Sequence, residues 1–264
     1  MAGRLTIRAV VLAYLGVILL LPVGIVLYKT LQPGLGSVWD SITTPAAIHA
    51  FWLTVTVTLI AVPLNAAFGV LAALVLVRGR IRGRRALEAF IDLPFAVSPV
   101  VVGLSLVLLY GRTGWLAGEL ETFGIRVIFS TPGIVLATLF VCLPFVAREV
   151  EPVLREVGDD QEQAASTLGA SGWQTFWRIT LPSIRWGLAY GVVLSTARAI
   201  GEFGAVSIVS GKISGQTETL TLLVEKRFTN FDLAGAYAAS ALLAVIALVT
   251  LLGMTLAQRR KDQA

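Results

Sequence analysis

Apolar residues along this chain gather in six long uninterrupted stretches, not in the short faces of a water-surrounded globule. They are Ala9–Tyr28, Phe51–Val77, Phe90–Tyr110, Gly133–Ala147, Trp186–Val209 and Leu233–Ala257. A helix rises about 1.5 Å per residue, so roughly 20 apolar residues cross the hydrocarbon of a bilayer. The pattern therefore predicts an all-α, polytopic membrane helical bundle with six transmembrane helices, one domain over residues 1–264. The fourth stretch is short for a span and is expected to extend through Arg148 toward Leu154. The first follows Arg4 and Arg8, exceeds a typical signal-peptide core and has no small-residue cleavage site after it, so it reads as a retained span. Pro63 lies in the second stretch, Pro94 and Pro99 in the third. Proline is tolerated in a membrane where neighbouring helices satisfy the freed carbonyls, which favours a packed bundle over isolated spans.

Composition agrees: 56% of residues are hydrophobic and 14% charged, where soluble domains carry about a quarter charged. The net charge of +5 comes from Lys and Arg placed between apolar stretches, an anchoring pattern and not one for nucleic acid. Arg78, Arg80, Arg82, Arg84 and Arg85 put five charges into eight residues, and Arg259, Arg260 and Lys261 fall near the other end. By the positive-inside rule both clusters are cytoplasmic, both termini lie inside, and the loops 29–50, 111–132 and 210–232 face outward. The single cysteine, Cys142, sits in an apolar stretch, so no intrachain disulfide or metal cluster is expected.

The connection between the fourth and fifth stretches is patterned as structure. Gly158-Asp159-Asp160 offers a helix N-cap, Gln161–Leu168 form helix readily, and Gly169 suits a left-handed C′ position. Ser171 is placed to cap a second short helix in which Trp173, Phe176 and Trp177 share one face, and Leu181-Pro182 is expected to end it. On pattern alone, two amphipathic helices lying on the bilayer surface remain an equal alternative.

Within it stand Gln163-Ala164-Ala165, three residues, Gly169, nine residues, and Ile179-Thr180-Leu181-Pro182. This resembles the EAA loop of binding-protein-dependent ATP-binding-cassette importers, whose pattern is E-A-A, three residues, G, nine residues, I-x-L-P. The departure is Gln163 in place of Glu, with Glu162 just before it. The resemblance implies a MetI-like permease fold with a coupling loop at 159–182, in which Gln163, Ala164, Ala165, Gly169, Ile179, Leu181 and Pro182 face the partner ATPase. Two alanines leave little bulk on a helix that seats in a partner's groove, and glycine permits the sharp turn. No G-x-x-x-x-G-K-[ST] occurs in the chain, so ATP and Mg2+ are expected on separate ATPase subunits, with no cofactor bound directly. The resemblance also implies a bacterial inner membrane location, a homologous second permease, two ATPase subunits and an extracytoplasmic sulfate-binding protein.

Further on, Ala197–Val206, Val209–Leu220 and Val224-Glu225-Lys226 are similar to permeases of sulfate/thiosulfate and molybdate importers, most of all the former. The likeness runs through nearly all of 50–257 and is densest from Gln161 to Asp232. It implies an oxyanion cargo, sulfate or thiosulfate, with molybdate or tungstate as the alternative.

Arg198 and Glu202 fall four residues apart inside the fifth stretch, where an unpaired charge is costly. Either they neutralise each other as a buried tie between helices, or Arg198 lines the path and offers positive potential to a divalent anion. Ser195, Thr196 and Ser207 are candidate hydroxyl donors beside it. No catalytic group is expected: the only histidine, His49, lies at the edge of the second stretch without an evident serine, and Asp92 stands alone near a membrane edge. An ion-coupled secondary transporter is the remaining rival. It would leave the patterned loop unexplained, and no internal repeat supports it.

Overall fold

Proline and glycine decide where the helices of this chain begin, bend and stop. Thr44 accepts a hydrogen bond from the Ala47 amide at 3.3 Å and Pro45 opens a helix of 34 residues. Pro132 stands in the first turn of another, which stops where Gly158 turns left-handed at φ +69°. In chain order a computed structural model describes residues 2–79 and 82–259 as α1 (Ala2–Leu15), a π turn (Gly16–Leu20), α2 (Leu21–Leu31), α3 (Leu35–Ile42), α4 (Pro45–Arg78), α5 (Arg84–Ala96) and α6 (Pro99–Tyr110). There follow α7 (Ala117–Thr122), α8 (Thr131–Val157), α9 (Asp160–Thr167), α10 (Gly172–Thr175), a π turn (Phe176–Thr180), α11 (Leu181–Ile200), α12 (Gly204–Val209), α13 (Leu220–Thr229) and α14 (Leu233–Arg259). Of the basic residues used for orientation, Arg80, Arg260 and Lys261 lie outside the described residues.

The all-helical membrane class holds. Among the described residues four segments are long and apolar enough to cross a bilayer: Val10–Leu31, Pro45–Arg78, Thr131–Val157 and Leu233–Thr250. The short fourth stretch extends as expected, through Arg148 and Leu154 to Val157. The third is not one straight helix, because α5 and α6 meet at 107°. Val97 and Ser98 adopt extended ψ angles of 131° and 134°; at Ser98 the ring of Pro99 crowds the preceding residue out of the helical region. The fifth is also interrupted: α11 ends at Ile200 and α12 resumes at Gly204. Nor does Leu181-Pro182 end a helix. The π turn carries the chain continuously from α10 into α11, with the Leu181 amide bonding back to the Phe176 carbonyl, and Pro182, which has no amide to donate, follows that turn without ending the helix.

α8 is the centre of the bundle, with α4 and α11 packed along it. Val70 and Ala73 of α4, Val146, Val150 and Leu154 of α8, and Ile184 of α11 form one buried cluster. A second joins Leu53 and Val57 to Ile134, Ala137 and Val141 and to Val206 and Val209 of α12. Asn65 donates from α4 to the Leu139 carbonyl at 3.2 Å, the kind of polar tie that holds helices together in lipid. α5 is bound to α8 by charge. Arg148 is paired with Asp92 (2.7 Å from Nε), Arg84 with Glu151 at 3.9 Å, and Arg155 with Glu88 at 3.8 Å. α14 backs the N-terminal helix, the Thr30 hydroxyl donating to the Tyr237 carbonyl at 3.0 Å.

Three glycines set the helix spacing. A Cβ on Gly69 would lie 2.6 Å from Val146 Cβ, one on Gly191 2.9 Å from Val146 Cα, and one on Gly187 2.8 Å from the Glu149 carbonyl oxygen. Gly69→Val and Gly191→Val should each cost about 1–3 kcal/mol through overpacking, read as a lower melting temperature of the detergent-purified protein. Gly118→Ala, which meets open space, should leave it unchanged or raise it slightly.

Candidate functional site

Two places bring chemically distinctive residues together. The first is the loop 159–182. Asp159 takes the N-cap position of α9 but its side chain makes no capping bond; the first-turn acids Asp160 and Glu162 complement the helix dipole instead. α9 closes at Gly169, whose φ of +84° lets the Ala170 amide reach the Ala165 carbonyl at 3.0 Å. Ser171 and Gln174 then form a reciprocal capping box at 2.9 and 3.3 Å. Trp173, Phe176 and Trp177 do gather, with ring centroids 5.4–6.2 Å apart. Trp173 and Trp177 are exposed, whereas Phe176 packs on the α4–α8–α11 cluster.

The motif residues divide by the direction they face. Gln163, Ala164 and Gly169 are exposed, and Ala165 is half-buried. Ile179 and Leu181 are half-buried at the entry to α11, and Pro182 is exposed. Glu162 points the other way from Gln163. Its Oε2 accepts from Arg78 Nε at 2.9 Å and its Oε1 from the Thr180 hydroxyl at 2.7 Å. Arg78 also donates to the Gly158 carbonyl. Sequence reading placed Arg78 among the orienting charges and left Thr180 unassigned. The one signal for the contact was the carboxylate displaced by one position from the motif.

The second place is the interruption between α11 and α12. Arg198 Nη1 lies 2.6 Å from Glu202 Oε2, with the arginine side chain 32% exposed and the glutamate 1%. Glu202 Oε1 accepts from the Ala205 amide at 2.9 Å, and its own carbonyl accepts from Thr221 at 2.8 Å. The carboxylate thus both caps α12 and neutralises Arg198. Beyond this pair, Arg198 borders a cavity of about 460 Å3 whose other walls are the α5–α6 bend (residues 94–99), Val141 and Phe145. The hydroxyls grouped with it are placed otherwise. Thr196 donates to Val192 and Ser207 to Gly204, each within its own turn. Ser195 is buried and its hydroxyl meets no partner among the described residues. No group of three or more His, Cys, Asp or Glu that could hold a metal ion occurs among the described residues.

On the far side of the bundle α13 is pinned at both ends. Its first amide, Leu220, donates to the Thr54 hydroxyl of α4 at 3.0 Å. The Arg227 fork reaches Ser41 O at 2.9 Å, Thr44 Oγ1 at 3.0 Å and Gly235 O at 3.1 Å.

Bent and interrupted apolar helices thus surround an internal ion pair, with a capped helix-turn-helix between two of them. Residues 65–263 match the family described as binding-protein-dependent transport system inner membrane component, and the chain belongs to that family. It is 50% identical over 256 residues to the sulfate transport system permease protein CysW of Synechococcus elongatus, covering 97% of this chain and 90% of the relative. The CysW protein of Escherichia coli strain K12 is 48% identical over 93% of this chain and 84% of its own length. The sulfate transport system permease protein CysT of Synechococcus elongatus is 39% identical over 90% of this chain and 86% of its own. In fold, a chain from the crystal structure of a bacterial alginate ABC transporter bound to its periplasmic protein superposes with a TM-score of 0.80 at 19% identity, over 97% of this chain and 94% of that one. The chain is therefore a multi-pass inner membrane component, the transport subunit and not the site of ATP hydrolysis.

Because Arg227 joins three segments while only 11% of its side chain is exposed, Arg227→Ala should destabilise the protein by about 2–3 kcal/mol. Arg227→Lys should not restore it, since one ammonium cannot span a guanidinium's fork. Thermal unfolding in detergent reads both.

Proposed function

We propose that this chain is the permease subunit of an ATP-driven importer of sulfate and thiosulfate. The observation that carries the reading is the 50% identity, sustained over nearly the whole chain, with a sulfate transport system permease. Six crossings follow if the α5–α6 pair and the α11–α12 pair each count as one broken span beside the four continuous ones. With basic clusters held inside, both termini and the loop 159–182 are cytoplasmic. Exposed Gln163, Ala164, Gly169 and Trp173 then present the coupling surface to an ATPase, while Ile179, Leu181 and Pro182 join that surface to α11. The permease pairs with a homologous second permease, a reading supported by the CysT relative. Two ATPase subunits bind from inside, and a sulfate-binding protein delivers the anion from outside.

Transport is by alternating access. ATP-driven closure of the ATPases draws the two coupling loops together and opens the spans outward; hydrolysis returns them. Arg198 supplies positive potential at the cavity beside the α5–α6 bend. Glu202, already paired with it, keeps the site from holding a divalent anion too tightly to release, as a permeation path requires.

Losing a charge-assisted hydrogen bond worth about 1.5–3 kcal/mol predicts that Arg198→Ala lowers radiolabelled sulfate uptake by roughly ten- to a hundredfold, with co-purification of the ATPase unchanged. Normal uptake by both Arg198→Ala and Arg198→Lys would overturn the pathway role. Uptake into vesicles driven by an ion gradient, without any ATPase subunit, would overturn the importer itself.

A further inference from the structure

The loop carries its carboxylate one position before the place where the family pattern has one, and the structure shows where that carboxylate goes. Gln163 is exposed, as are Asp159 and Asp160, so these side chains are free to meet another protein. Glu162 is turned inward, with a side chain only 21% exposed and both oxygens engaged, one by Arg78 and one by Thr180. Arg78 is the last residue of α4, where the helix dipole favours a cation. Its guanidinium is shared between Glu162 and the carbonyl of Gly158, the corner between α8 and α9. Thr180 is the last residue of the π turn that leads into α11 and is itself buried.

Apart from α10 and that π turn, α9 has no substantial packing partner among the described residues. A cleft of about 370 Å3, lined by Leu74, Ser166, Ala170, Phe176 and others, separates the loop from the bundle beside Glu162. Apolar packing therefore does not fix α9 to α4. The bond through Glu162 does.

We propose that Glu162, Arg78 and Thr180 form a latch that makes the loop move as one body with the ends of α4, α8 and α11, so that displacement of α9 is transmitted to three spans at once. These are positioning residues: none needs to touch ATP or the transported anion. A partly exposed ion pair contributes little to stability, so its loss should spare the fold and show itself in transmission. The latch rests on the reading of 159–182 as the coupling loop.

The test uses the complete transporter in proteoliposomes, with both permeases, the ATPases and the sulfate-binding protein, measuring sulfate uptake and ATP hydrolysis together. Glu162→Gln, Arg78→Gln and Thr180→Val should keep the ATPases bound and hydrolysing. The charge variants should lower sulfate moved per ATP by about tenfold, and Thr180→Val by less. The exchange Arg78→Glu with Glu162→Arg should recover part of the loss. Wild-type stoichiometry in both single charge variants would overturn the latch, as would an exchange no better than the worse single variant. Loss of ATPase co-purification in Glu162→Gln would make the residue a docking contact, overturning the latch while leaving the coupling loop in place. A wild-type chain that binds no ATPase would overturn the loop assignment and the latch with it.

Discussion

The close approach of α4 and α11 to α8 is the contact from which the other elements take their positions. In lipid there is no water to expel between helices, so association relies on van der Waals contact and internal polar bonds, and small residues allow both. Gly69, Gly187 and Gly191 bring backbone against backbone. With that spacing set, Asn65 reaches a carbonyl across the interface and Ile184 fills the space between α4 and α8. The α5–α6 and α11–α12 interruptions also lean on α8, through the ion pairs Asp92–Arg148 and Arg84–Glu151 on one side and through Val141 on the other. Non-helical backbone at membrane depth survives only where protein surrounds it or where it borders a cavity. Both conditions meet at the cavity beside Arg198.

Charge is distributed by the same economy. Between α5 and α8 the ionic groups form a linked set and not isolated pairs: Arg84, Glu88, Glu151 and Arg155 share partners. Glu202 shows why such groups persist inside an apolar helix. It neutralises Arg198, caps the helix that restarts after the break, and through its carbonyl holds Thr221 at the start of α13. One residue thus connects the interior of the bundle to the segment that Arg227 pins from its other end.

Much of this was legible in the sequence where local chemistry decides the outcome. Apolar length located the long helices, and the extension of α8 past Arg148 followed from its pattern. Ser171 and Gly169 announced a cap and a turn, because those depend on residues three or four positions away. The misses share a different physics. Pro99 carried the signal for the α5–α6 bend, but a proline in an apolar run is equally compatible with a tolerated kink, and only the surrounding packing decides. The break at Gly201–Phe203 depends on Thr221, and the inward turn of Glu162 on Arg78, 84 residues earlier. Leu181-Pro182 was expected to end the short helix, but the π turn before it carries the chain on into α11.

That π turn has a consequence for how the fold can vary. It is in effect one residue inserted into an otherwise continuous helix from Gly172 to Ile200. Each residue of an α-helix advances the face by about 100°. Removing one residue between Phe176 and Thr180 would rotate the surface bearing Trp173 by about that angle relative to α11, with scarcely any change in length. The rotational phase between the loop's outer face and the spans is thus adjustable by a single-residue insertion or deletion, independently of the contacts that hold either part together.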